Sequence, residues 1–137
     1  MKQTLIFLLF LIPATLSPYG YDYVIIELHE GYNPYERIWE AVCFVESTNN
    51  PLAYNKTEQA RGIVQIRPIK IDDYNRLTGS NIQYEDVFCP EISKEIFMWH
   101  MEQFPVGFWE EAVRRWNGSG KKSYVYLEKV KTRLNEI

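Results

Sequence analysis

Apolar residues recur three and four positions apart in five separate stretches of the chain, and that period predicts helices. The first stretch opens at Asn33, a good N-cap, with Pro34 at the first helical position and Glu36 spaced to reach back as in a capping box. Ile38, Ala41, Val42 and Val45 then form one stripe. Five turn-forming or helix-breaking residues, Ser47 through Pro51, stop the helix at Glu46.

A second helix is expected from Pro68 to just before Gly79, with Ile71, Tyr74 and Leu77 inward. A third spans about Pro90 to Gln103 on Ile92, Ile96, Trp99 and Met101, and a fourth about Phe108 to Trp116 on Ala112, Val113 and Trp116. The last runs from about Ser123 to Asn135 and aligns Tyr124, Leu127, Val130 and Leu134. Connections are short apart from 47–67 and the stretch around Ser80 to Cys89, so the fold class is mainly α, a small helical domain.

The N-terminus breaks this pattern. Lys2 precedes the unbroken apolar run Leu5 to Ile12, followed by Pro13, Ala14 and Thr15, which has the form of an export signal. The run falls short of the roughly 20 apolar residues of a membrane span. Residues 1–20 are expected to be a signal peptide cut near Gly20, with an uncleaved anchor as the alternative; either makes the protein exported, and a periplasmic or cell-envelope location is expected. Removing them from 137 residues leaves 117, enough for one domain over residues 21–137. Tyr21 to Leu28, aromatic and β-branched, reads equally as a short strand or a lead-in to a helix.

Charge and composition then narrow the chemistry. The formal net charge is −3, and no basic block could follow a phosphate backbone, which speaks against nucleic acid as a partner. Aromatic residues make up 15%, with four Trp and ten Tyr, enough to pack a core and also to line a groove for sugars. Cys43 and Cys89 have one possible intramolecular pairing, worth roughly 3–4 kcal/mol in the chain-entropy model; two buried thiols are the equal alternative. These cysteines, with His29 and His100, show no metal-ligand spacing, and no metal or cofactor is expected.

Glu46 carries the candidate chemistry. A carboxylate in the last turn of a helix faces the negative end of the dipole, and partial burial behind Phe44 and Val45 removes solvation; both raise its pKa. A carboxylic acid still protonated near neutral pH can protonate a departing glycosidic oxygen.

Four short motifs accompany that acid: Glu46-Ser47, then Gly62-Ile63-Val64-Gln65-Ile66, then Trp116-Asn117-Gly118, then Tyr126 through Val130. Their order and spacing over residues 35–131 resemble the lysozyme-like lytic transglycosylases, which include soluble and goose-type enzymes. Those proteins carry Glu-Ser at a helix end, a Gly-Leu-Met-Gln-Ile-like segment, an Ala-Tyr-Asn-Ala-Gly-like turn and a Tyr-Val-x-Lys-Val-like helix. The resemblance implies a lysozyme-like domain with a substrate cleft, Glu46 as the catalytic residue, and Ser47, Gly62, Gln65, Trp116, Asn117 and Tyr126 around the substrate. It implies peptidoglycan glycan strands as the partner, cleaved between N-acetylmuramic acid and N-acetylglucosamine, and a place beside a secretion or conjugation apparatus is compatible with it.

Local chemistry offers each residue a second part. Ser47 can orient Glu46 or terminate the helix, Gly62 can admit a sugar or make a turn, and Gln65 can bond a ligand or satisfy backbone. Asn117 can hold an N-acetyl group or form an Asn-Gly turn. Departures from the family pattern are Trp116 in place of Tyr, Arg115 in place of Ala and Glu91-Ile92 in place of Asn-Ile. No acid follows the Gln segment, where Arg67 and Pro68 stand, and Glu58, Asp72 and Asp73 lack a matching context. A single acid fits anhydro-forming transglycosylation better than two-carboxylate hydrolysis. A muramidase and a non-catalytic wall-binding or assembly module are the alternatives.

Overall fold

The computed structural model describes residue 33 and residues 35–137; the expected signal, the Tyr21 to Leu28 stretch, His29 and Pro34 lie outside them. Five α-helices form among the described residues: α1 (Glu36–Ser47), α2 (Pro68–Thr78), α3 (Pro90–Glu102), α4 (Trp109–Asn117) and α5 (Lys122–Glu136). The mainly α expectation holds. A two-stranded antiparallel hairpin, β1 (Tyr54–Asn55) with β2 (Ala60–Arg61), occupies the long 47–67 connection, and a 3-10 turn covers Asp86–Phe88.

The start of α1 differs from its predicted cap. Glu36 reaches to Lys94 rather than back to the helix start, so the capping box does not close. Asn33 Oδ1 instead accepts from the Tyr35 amide at 2.9 Å. At the other end the chain turns left-handed at Thr48 (φ 55°) and Asn49 (φ 61°), whose amides bond Phe44 and Cys43 carbonyls.

Helix α5 is the spine against which α1 and α4 pack, while α3 packs on α4. Phe97 on α3 sits between Trp39 of α1 and Trp116 of α4, with ring centroids 5.5 and 5.1 Å away. Val42, Ile66, Ile71, Val113 and Val130 close the same core at 0% exposure.

Two inward assignments are corrected. Leu77 is 59% exposed, leaving Ile71 and Tyr74 as the buried residues of α2. Tyr124 is 58% exposed, because the buried stripe of α5 is Ser123, Tyr126, Leu127 and Val130, at i, i+3, i+4 and i+7. Tyr124 packs outside, beneath the Arg114 guanidinium at 4.7 Å.

The cysteine alternatives also resolve. Cys43 faces the core from the middle of α1, whereas Cys89 is exposed at the start of α3, where its thiol donates to Glu91 Oε2 at 3.0 Å. Both are free thiols, so the possible disulfide is not formed.

Candidate active site

Glu46 sits half-buried in the last turn of α1, and no basic residue of that turn neutralises it. Glu46 borders two openings: a groove of about 630 Å³ towards α5 and a cavity of about 110 Å³ towards the hairpin. Glu46, Glu58 and Asn117 border both. Burial pushes the Glu46 pKa up to about 7, and the negative charge of Glu58 adds to the rise. Tyr126, Arg67 and Lys70 pull the other way.

Tyr126 projects from the inner face of α5 and is 7% exposed. Its hydroxyl stands near enough to the Glu46 carboxylate to stabilise the anion, yet closes no hydrogen bond of ordinary geometry among the described residues. Burial and the Glu46 charge hold the phenol well above its usual pKa, so it remains a donor.

Arg67 precedes α2 and points at the end of α4, where Nη2 donates to the Asn117 carbonyl at 2.8 Å and reaches that of Trp116 at 3.4 Å. It caps carbonyls that the helix itself leaves unpaired. Lys70, on the first turn of α2, places Nζ 4.5 Å from the centre of the Trp116 ring, and burial lowers its pKa to about 8. Sequence reading passed over both cations. The signal was their position, directly after the buried Ile66 and one turn into the helix begun by Pro68, where a solvated lysine or arginine gains nothing.

Several of the expected substrate residues have structural partners of their own. Ser47 does not bond Glu46; its hydroxyl donates to the Ile63 carbonyl at 2.7 Å and accepts from the Asn50 amide at 3.0 Å, fastening the end of α1 to the Gly62 segment. Gly62 is buried with φ 78°, and a Cβ there would lie 2.2 Å from the Val87 carbonyl oxygen, so the close approach is to the 3-10 turn, not to a sugar. Its amide donates to the Ala53 carbonyl at 2.9 Å. The Trp116 indole packs in the core, 2% exposed, with Nε1 donating to the Val64 carbonyl at 3.1 Å, and the residue also borders the small cavity beside Glu46.

Gln65 does both things. Its amide nitrogen donates to the Gly62 carbonyl at 3.0 Å and the Ala53 carbonyl at 3.2 Å, while its side chain borders the small cavity beside Glu46 and Asn117. Its backbone is left-handed, φ 52°, a strained conformation that the paired backbone of Arg61 and Ile66 on either side enforces.

Glu58 is the residue the sequence discounted. It lies in the hairpin turn, where Asn55 Oδ1 accepts from the amides of Thr57 at 3.0 Å and Glu58 at 3.2 Å. That turn brings Glu58 to the edge of both openings, although twelve residues separate it from Glu46. No protein-family model, curated protein or solved structure matches the chain.

Proposed function

We propose that the protein is an exported, lysozyme-like lytic transglycosylase that cleaves the β-1,4 bond between N-acetylmuramic acid and N-acetylglucosamine in peptidoglycan. The observation that carries this reading is a half-buried Glu46 that borders both the groove and the cavity, beside the Tyr126 hydroxyl and with its pKa raised. At neutral pH the acid is poised between its two forms, as a group that must both give and take a proton requires.

In the first step protonated Glu46 donates to the bridging oxygen; the C1–O4 bond breaks, and N-acetylglucosamine leaves with a 4-hydroxyl. The N-acetyl group of the muramoyl sugar stabilises C1 as the bond breaks. Ionised Glu46 then takes the proton of the sugar's own 6-hydroxyl, whose oxygen bonds C1 and closes the 1,6-anhydro ring. Tyr126, Arg67 and Lys70 stabilise the carboxylate between the two steps. Gln65 and Asn117, at the small cavity, are placed to contact the sugars.

Glu58 favours a second reading, a muramidase in which this carboxylate activates water or stabilises C1. Digestion of purified sacculi with mass analysis of the products separates the two. Transglycosylation gives anhydro ends, and Glu58→Gln retains most activity; hydrolysis gives reducing ends and needs Glu58. Glu46→Gln removes turnover in either case. Muropeptide release by Glu46→Gln at the parent rate would sink the proposal.

A further inference from the structure

The larger groove carries charged side chains that the proton transfer does not use. Lys122 and Lys129, at i and i+7 on α5, flank Tyr126 at i+4, so all three side chains share the face that borders the groove. Seven residues of helix set the two lysine Cα atoms about 10 Å apart. Lys121, immediately before the helix, lines the same groove. All three lysines are exposed, and none forms an ion pair among the described residues, whereas Lys94 and Lys131 do. The opposing charges on the groove are Glu46 and Glu58. In a chain of net charge −3, a row of unpaired ammonium groups beside the candidate acid makes a local field of opposite sign to the whole.

We infer that Lys121, Lys122 and Lys129 bind carboxylates of the peptide stem carried by the muramoyl sugar, so that the groove selects stemmed over bare glycan. The inference rests on the function proposed above, since it takes the strand to run past Glu46 along α5. The carboxylates available are those of the stem and the lactyl carboxylate that stem removal exposes. A stem projects several of them away from the sugar, as a row of cations about 10 Å long requires; a bare lactyl group offers one next to the ring.

The test measures binding of the Glu46→Gln chain, which leaves strands intact, to stemmed glycan strands and to strands stripped by an amidase. Stemmed strands are expected to bind more tightly, and the advantage should shrink with added salt. The double variant Lys122→Glu/Lys129→Glu should weaken binding to stemmed strands roughly tenfold and to stripped strands much less. Lys122→Arg/Lys129→Arg should keep the preference. Equal affinity of the unreversed chain for both strands, or an unchanged preference after charge reversal, overturns the inference. Muropeptide release by the chain with Glu46 intact is read separately. Release without a stem preference rejects the lysine site alone, whereas absence of release rejects the enzyme and leaves the binding contrast to be judged on its own.

Discussion

The Tyr126 hydroxyl faces the Glu46 carboxylate in a buried position without closing an ordinary hydrogen bond to it or to any other group of the described residues. Tyr126 lowers the pKa of the acid, so Tyr126→Phe should raise it further above about 7 and move the alkaline limb of the cleavage profile upward. Because the hydroxyl has no partner, its removal should change stability by less than about 1 kcal/mol. Muropeptide release across pH, paired with thermal unfolding, checks both halves.

Glu46 itself makes stability fall with pH. Its folded pKa of about 7 exceeds the ordinary carboxylate value of 4.5, so between those values the native state holds more protons than the unfolded one. Stability therefore declines as pH rises through that window and levels off above it. Glu46→Gln should remove this decline and raise the melting temperature above pH 7 by a few degrees, on the order of 1 kcal/mol. It should also lower turnover by at least two to four orders of magnitude, roughly the contribution of a general acid.

Arg67 joins the acid to the end of α4. Arg67→Met should raise the Glu46 pKa by removing a nearby cation and should free the carbonyls of Trp116 and Asn117, at about 1–3 kcal/mol. Carboxyl-carbon NMR titration of Glu46 with a denaturation curve reads both effects. An unmoved titration would detach Arg67 from the acid.

Gly62→Ala tests the packing role assigned to that residue. A Cβ 2.2 Å from the Val87 carbonyl, at φ 78°, should destabilise the protein by about 2–4 kcal/mol, measured by urea unfolding.

The cysteines give the simplest measurement. A colorimetric thiol reagent should find Cys89 promptly in the native protein and Cys43 only after denaturation, since burial pushes the Cys43 thiol up to about 12. A count of zero after denaturation without reductant would restore the disulfide.

The five helices were legible because an amphipathic helix writes its buried face into the sequence at a period of 3.6, and because Pro68, Pro90 and Gly79 mark helix ends locally. Glu46 was legible for the same reason: the breakers from Ser47 onward put it in the last turn whatever surrounds it. What surrounds it was not. The assignment of Tyr126 rather than Tyr124 to the inside, and of Trp116 to the core, depends on which face of α5 and α4 meets the other helices. Glu58 comes to Glu46 through a hairpin turn whose residues are polar and aperiodic, so no local pattern announced its position; Arg67 had a local cue in the buried Ile66 before it, but not the partner it would reach. Helix and stop are properties of neighbouring residues; the raised pKa of Glu46 and the two openings beside it arise only where segments distant in sequence exclude water together.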